Sequence, residues 1–137
     1  MPGRPPIIAV VDDEEDVRHS LQRLLRSAGF EVLIYGSGIE FLRHASEGSP
    51  DCVVLDMHMP RLTGLDVQTT LRDRGLSLPV IILTGNATRE MEAAALAAGA
   101  SGYLSKPVDD DVLIGAITTA LRRNDRPRDG AASLGVN

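Results

Sequence analysis

The chain has 137 residues, 43% hydrophobic and 24% charged, which fits one globular domain with an apolar core. Its net charge of -5 is the opposite of the basic face that binds phosphate backbones, so nucleic acid is not an expected partner of this chain. Cys52 is the only cysteine, which excludes an internal disulfide and fits a reducing, cytoplasmic setting. The apolar run at residues 7–11 is too short for a signal peptide or a membrane span, so neither is expected.

Short apolar runs alternate with stretches of helical periodicity along the chain. The predicted strands cover residues 7–11, 32–35, 52–55, 79–83 and 102–104. The predicted helices follow them at residues 17–28, 39–45, 64–71, 87–99 and 112–121. Gly29 is expected to end the first helix in the left-handed conformation. The fourth helix has mostly alanines on its core face, so we expect it to move easily.

The ends of the chain differ from this pattern. Residues 1–6 are expected to form an N-terminal extension, and residues 7–123 the folded domain. Residues 124–137 are rich in polar residues and glycine, which predicts a disordered tail or a linker. The Gly-Ser-Gly at residues 36–38 lacks the third glycine of a dinucleotide-binding motif and follows the second strand rather than the first, so we interpret it as a turn.

Five strand-helix units in succession predict an α/β fold, doubly wound, with a parallel sheet between two layers of helices. The two common strand orders of such folds both leave a crevice at the carboxyl edge of the sheet, beside the first strand. The polar residues that end the predicted strands are Asp12, Asp13, Asp56, Thr84 and Lys106. We therefore expect these five side chains to meet at one edge of the sheet.

Three carboxylates in one crevice repel each other unless a cation neutralises them. Mg²⁺ prefers oxygen ligands and is commonly held by one or two carboxylates together with a phosphate, so Asp13 and Asp56 are candidate ligands. Asp56 is also a candidate nucleophile, because a carboxylate can take up a phosphoryl group as an acyl phosphate. Lys106 would hold the transferred oxygens, and the Thr84 hydroxyl would meet the new phosphate.

Several segments resemble the receiver domain of two-component response regulators, the CheY-like family. They are Val-Asp-Asp-Glu at residues 11–14, Leu-Asp-Met-His-Met-Pro at 55–60 with Gly64, Leu-Thr-Gly at 83–85, Gly-Ala at 99–100 and Lys-Pro at 106–107. The resemblance extends over residues 7–123, and the set is far more specific than any one motif. It implies a flavodoxin-like (βα)5 fold with strand order 2-1-3-4-5.

By this resemblance, Asp56 accepts a phosphoryl group from a histidine kinase. Asp12, Asp13 and Asp56 would bind Mg²⁺, with the main-chain carbonyl of His58 as a further ligand. Lys106 would contact the phosphoryl group. The protein would then be a signalling phosphoacceptor with self-phosphorylation and autodephosphorylation chemistry, rather than an enzyme. The His58 side chain flanks the site; we expect it to be inert, and the alternative is that it alters how fast water reaches the acyl phosphate.

The resemblance also implies a switch. Thr84 would move toward the phosphate, and the ring of Tyr103 would swing inward from an exposed position. The surface formed by helix 4, strand 5 and helix 5 would then bind an effector or a second copy of the chain, although some receiver dimers in the family use helices 1 and 5. The Lys106–Pro107 peptide bond is often cis in the family, which is tolerated only before proline.

Alternatives remain at this stage. The chain would be either a free-standing receiver or the receiver part of a longer DNA-binding regulator. An aspartate-nucleophile phosphatase on a related scaffold would carry a second acid two residues after the first, where this chain has His58. A degenerate receiver that only mediates protein contacts would lack the acidic set, which is complete here.

Overall fold

The computed structural model describes residues 4–46 and 48–125. The strands are β1 (Ile7–Val11), β2 (Glu31–Tyr35), β3 (Cys52–Leu55), β4 (Val80–Thr84) and β5 (Gly102–Ser105). The helices are α1 (Glu15–Ser27), α2 (Gly38–His44), α3 (Gly64–Asp73), α4 (Arg89–Ala97) and α5 (Asp110–Asp125). All ten predicted elements are present, in the predicted sequence of strand and helix.

The five strands are parallel and lie in the order β2-β1-β3-β4-β5. This confirms the doubly wound fold and the flavodoxin-like order. In the pairing of β1 with β3, Val11 lies opposite Leu55. The residues that follow these two strands therefore emerge side by side, in the centre of the carboxyl edge of the sheet.

Alternation along the strands divides the core into two layers, one on each face of the sheet. Ala9 and Val11 of β1 pack with the buried residues of α2, α3 and α4. Ile8 and Val10 of the same strand pack with those of α1 and α5. The central strands β1, β3 and β4 are buried almost throughout, as expected for parallel strands covered on both faces. Cys52 is a core residue, and burial raises the pKa of its thiol to about 12.

Local sequence signals fix the helix ends. Ser37, Thr63 and Thr88 each accept a hydrogen bond from the backbone N–H three residues on, which caps α2, α3 and α4. The predicted end of α1 is confirmed, because Gly29 has a φ of +98° and its N–H donates to the carbonyl of Arg26. These are features of a Schellman motif.

The boundary at the carboxyl end differs from the prediction. Helix α5 continues to Asp125, two residues beyond the expected end of the domain at Arg123. The predicted tail from residue 126 to 137 lies outside the described residues, as do residues 1–3 of the extension. In the described part of the chain, no helix has the length and apolar content to cross a membrane.

Candidate functional site

Three carboxylates meet at the carboxyl edge of the sheet, as the sequence predicted. Asp12 follows β1 and Asp56 follows β3, and both are nearly inaccessible to solvent, at 3% and 6% exposure. Asp13 is exposed beside them. One carboxylate oxygen from each of the three lies within 4.8 Å of the others. Two buried acids and one exposed acid thus form an oxygen-rich cluster.

The backbone after Asp56 is held close against the start of α3. The N–H of Gly64 donates to the carbonyl of Met57 at 3.0 Å. A Cβ atom on Gly64 would lie 2.6 Å from the carbonyl oxygen of Asp56 and 2.9 Å from the Cα of Met57. Both atoms belong to the backbone, so they cannot turn aside as a side chain can. Glycine is therefore required here for Asp56 to occupy its position.

Lys106, which follows β5, reaches the cluster from the opposite side. Its Nζ lies 2.8 Å from Oδ2 of Asp12, 3.8 Å from Oδ1 of Asp56 and 3.9 Å from Oε1 of Glu14. The ammonium group therefore forms its hydrogen bond with Asp12 and is an ion-pair neighbour of Asp56. The Lys106–Pro107 peptide bond is cis, as the family resemblance implied.

Burial and charge shift the acid–base behaviour of this cluster. Burial raises the pKa of the Asp56 carboxyl, and the charge of Asp12 raises it further. Lys106 and the backbone N–H of His58 lower it, without cancelling the increase. Burial by itself would lower the pKa of Lys106, but the hydrogen bond and charge of Asp12 outweigh it, so this pKa lies above its ordinary value. The site therefore stabilises the protonated, charged form of Lys106 and destabilises the ionised form of Asp56.

The cluster opens to solvent through a cleft of about 380 Å³. The residues that line it are Asp13, Glu14, Asp56, His58, Gly85, Asn86 and Lys106. Glu14, Gly85 and Asn86 line the cleft but were not among the predicted site residues. Glu14 is the N-cap of α1, and its Oε1 lies 3.9 Å from the Nζ of Lys106. The adjacency of Glu14 to Asp13 was a signal for this. The His58 side chain is exposed at the rim.

The two predicted switch residues are both inside the domain. Thr84 is fully buried at the end of β4 and does not line the cleft. Its Oγ1 is buried and has no hydrogen-bond partner in the described part of the chain, and the same is true of the hydroxyl of Tyr103. The expected exposed position of Tyr103 is wrong. Its ring is half-buried against the core layer of α2, α3 and α4, because β5 directs this side chain to that face.

The donor set fits a hard divalent cation. The carboxylates of Asp12, Glu14 and Asp56 lie within 4.0 Å of one ammonium group, and the carboxylate of Asp13 lies beside those of Asp12 and Asp56. Burial is the largest cause of the raised pKa of Asp56, and the charges of Asp12 and Asp13 add to it while the charge of Lys106 opposes it. Carboxylate oxygens are the ligands that Mg²⁺ and Ca²⁺ prefer. A site with this charge imbalance is able to hold such an ion.

The fold and this acidic cleft define a class of protein, the CheY-like receiver domains. The family model described as the response regulator receiver domain matches residues 8–118. The chain therefore belongs to the response regulator receiver domain family, and it is a signalling domain of the two-component type.

Individual relatives agree with this assignment. Nodulation protein W of Bradyrhizobium diazoefficiens is 38% identical over 128 residues, which cover 93% of this chain and 56% of the relative. The transcriptional regulatory protein PrrA of Mycobacterium tuberculosis is 43% identical over 118 residues, 86% of this chain and 51% of the relative. This chain thus spans about half the length of the curated relatives it matches. A receiver domain structure from Clostridium thermocellum superposes with a TM-score of 0.82 at 37% identity, covering 87% of this chain and 96% of that one.

Proposed function

We propose that Asp56 accepts a phosphoryl group from a histidine kinase and that the phosphorylated domain signals through its α4, β5 and α5 surface. The observation that carries this proposal is the position of Asp56. It is a nearly buried carboxylate in an open cleft, 3.8 Å from the Nζ of Lys106, and one of its oxygens lies within 4.8 Å of an oxygen of each of two further acids. This arrangement supports the proposal, because a carboxylate, an ammonium group and further acidic oxygens lie close together.

Asp12, Asp13 and Asp56 would hold Mg²⁺, and the main-chain carbonyl of His58 would be a further ligand. The bound ion would supply positive charge for the oxygens of the transferring phosphoryl group. The positive charge of the ion would offset the electrostatic repulsion among the three carboxylates. The donor chemistry and the charge imbalance of the cleft support this assignment.

Transfer requires little covalent chemistry from the protein. A carboxylate oxygen of Asp56 attacks the phosphorus of the donor, the O–P bond forms, and the P–N bond of a phosphohistidine breaks with its electron pair leaving on the imidazole nitrogen. Lys106 is already held at the site by Asp12. Its Nζ has further N–H donors for a phosphoryl oxygen, so it would stabilise the charge that accumulates there.

The switch would use the two buried hydroxyls. A phosphoryl group brings acceptor oxygens to the end of β3, and the Thr84 hydroxyl at the end of the neighbouring strand has no competing partner in the described structure. Movement of Thr84 would change the packing around Tyr103, whose hydroxyl is also without a partner there. An effector or a second copy of the chain would recognise the altered surface.

The test is phosphorylation by acetyl phosphate in the presence of Mg²⁺, followed by intact-mass measurement. We expect the mass to rise by one phosphoryl group, and Asp56→Asn to abolish the increase. Asp73→Asn is the matched control, since Asp73 is an exposed aspartate at the end of α3, outside the cleft. It should be labelled like the wild type. Labelling that survives Asp56→Asn would disprove the assignment.

A further inference from the structure

Helix α4 is attached to the domain near its carboxyl end. Among the described residues of α4, Ala95 alone is buried, whereas Arg89 and Glu90 at its start are exposed. The connection from β4, residues 85–88, is exposed along its whole length. Met91 in the first half is half-buried against the core, so the one fully buried residue of this helix lies near its carboxyl end.

One side chain from α3 makes the polar contact at that end. Gln68 is 3% exposed, and its Nε2 donates to the carbonyl oxygen of Ala95 at 3.0 Å. The same oxygen accepts the N–H of Ala100, also at 3.0 Å, which closes the Schellman motif after α4. The carbonyl of Ala95 thus joins the end of α4, the turn after it and α3.

The stability of α3 does not explain a glutamine at this position. The Oε1 of Gln68 is buried and has no hydrogen-bond partner among the described residues. A buried acceptor without a partner is unfavourable, and an apolar side chain of the same length would pack without that cost. Gln68 is therefore better explained by what its Nε2 does to α4 than by its contribution to the core.

We propose that Gln68 is a positioning residue that makes the carboxyl end of α4 the pivot of the switch. The proposal rests on the function assigned above to Asp56. A displacement of Thr84 reaches α4 through residues 85–88, and so it acts on the amino end of the helix. The buried Ala95 and its bond to Gln68 hold the other end. Helix α4 then swings about Ala95, and the half-buried Met91 near its start changes its packing most.

A cavity beside the pivot strengthens this argument. It has a volume of about 360 Å³ and lies at the amino edge of the sheet, lined by Gln68 and Leu71 of α3, by Ala98 and Gly99 after α4, and by Arg123 of α5, among others. Close-packed groups hold each other in place, but the turn after α4 borders open space instead. The cavity leaves one side of this turn without packing, so the hydrogen bond of Gln68 adds to the restraint that the buried Ala95 and the backbone bond from Ser101 to Val80 provide.

The first experiment measures amide hydrogen exchange in the unphosphorylated protein by NMR. Gln68→Met keeps the length of the side chain and removes both amide atoms, and Leu71→Met is its control. Leu71 lies on the same helix, is also 3% exposed and lines the same cavity, without a bond to α4. We expect Gln68→Met to accelerate amide exchange at Ala100 about fivefold, because in this variant the turn can open without breaking the hydrogen bond from Gln68 to Ala95. Leu71→Met should leave the rate unchanged.

Thermal unfolding separates positioning from a merely structural role. Gln68→Met also removes the unpartnered acceptor, so its melting temperature should equal or exceed that of the wild type. A lower melting temperature together with unchanged exchange at Ala100 would show that Gln68 serves the core alone, and would overturn the proposal.

The second experiment adds beryllofluoride and Mg²⁺, which imitate the phosphoryl group, and maps amide chemical-shift changes. In the wild type the changes should be large at residues 89–91 and small at 98–100. In Gln68→Met they should spread into 98–100. Equal changes at both ends of α4 in the wild type, or an identical pattern in the two proteins, would contradict the pivot. No change at all, even around Asp56, would instead remove the proposed function and the pivot with it. A difference in exchange would then indicate only a static link between α3 and α4.

Discussion

The ends of β1 and β4 both border the acidic cleft, but they are held in opposite ways. Every polar group of Asp12 has a partner. Its N–H donates to Tyr35, its two carboxylate oxygens accept from the Glu14 N–H and from Lys106, and its carbonyl accepts from the Arg18 guanidinium. At the end of β4, the Thr84 hydroxyl has no partner in the described structure, and α4 beyond it has a single buried residue.

Because of this difference, the end of β1 is suited to receiving a signal and the end of β4 is suited to responding to it. A side chain fixed by several hydrogen bonds keeps its geometry when a ligand arrives, which favours metal binding and phosphoryl transfer. A buried hydroxyl without a partner costs about 1–3 kcal/mol, so a movement that brings it to a hydrogen-bond partner is favourable. The β1 and β3 side of the cleft is prearranged, whereas the β4 and α4 side is poised to move.

The largest expected effect comes from breaking the prearranged side. Gly64→Ala forces a Cβ against the backbone of Asp56, so we expect the free energy of unfolding to fall by about 2 kcal/mol and phosphorylation to slow. Gly115→Ala is the control, because a Cβ there meets no atom within 4 Å. It should stabilise α5 by about 0.5–1 kcal/mol. Urea denaturation of both variants measures these changes, and equal stability of the two would refute the steric argument.

The next effect tests the poised side. Thr84→Val replaces the unpartnered hydroxyl with a methyl group of similar size, so it should raise the free energy of unfolding by about 1 kcal/mol. Tyr103→Phe should act in the same direction. Thr118→Val is the contrast, since the Thr118 hydroxyl donates to the carbonyl of Ile114 at 2.8 Å and its loss should bring no gain. Destabilisation by Thr84→Val in urea denaturation would mean that the hydroxyl is satisfied in solution.

A pH titration of stability examines the cost of the charge on Asp56. Its pKa is raised in the folded protein, so the native state binds this proton more tightly than the unfolded chain does. Without metal, ionisation of Asp56 should therefore lower stability as the pH rises from the ordinary value of 3.8 through the raised value.

The Asp56→Asn variant lacks this ionisation. It should be more stable than the wild type at pH 7 in chelator, and the difference should shrink as the pH falls below 3.8. Lys106 titrates far above this range. Denaturant unfolding from pH 3 to pH 8 measures the difference, with Asp73→Asn as the exposed control. A constant difference across that range would argue against a raised pKa.

The smallest effect concerns the loop after Asp56. Arg61 has a φ of +72°, and the N–H of Leu62 donates to the carbonyl of Pro60 at 2.8 Å, the geometry of a strained γ-turn. Arg61→Gly should relieve this strain, partly offset by the flexibility of glycine in the unfolded chain, for a net gain of about 0.5 kcal/mol. Arg61→Ala should show no such gain. If both variants behave alike in thermal unfolding, the turn is not strained.

The order of strands and helices could be predicted from the sequence, because burial on both faces leaves apolar strands that alternate with helices of 3.6-residue periodicity. The polar residues that end the strands could also be predicted, since the carboxyl ends of parallel strands share one edge. Asp12, Asp13, Asp56 and Lys106 were found in this way. The resemblance to receiver domains supplied the strand order, which periodicity alone leaves open between two arrangements.

Only the tertiary structure decided which polar atoms find partners. The hydrogen bonds from Lys106 to Asp12 and from Gln68 to Ala95 join segments that are distant in the chain. The tertiary structure also decided that the ring of Tyr103 points inward and that, among the described residues, the hydroxyls of Thr84 and Tyr103 have no partner. Residue type and spacing indicate which strand or helix carries a side chain, and at which position. Its partners depend on packing between elements, to within a few tenths of an ångström, and one-dimensional patterns do not contain that distance.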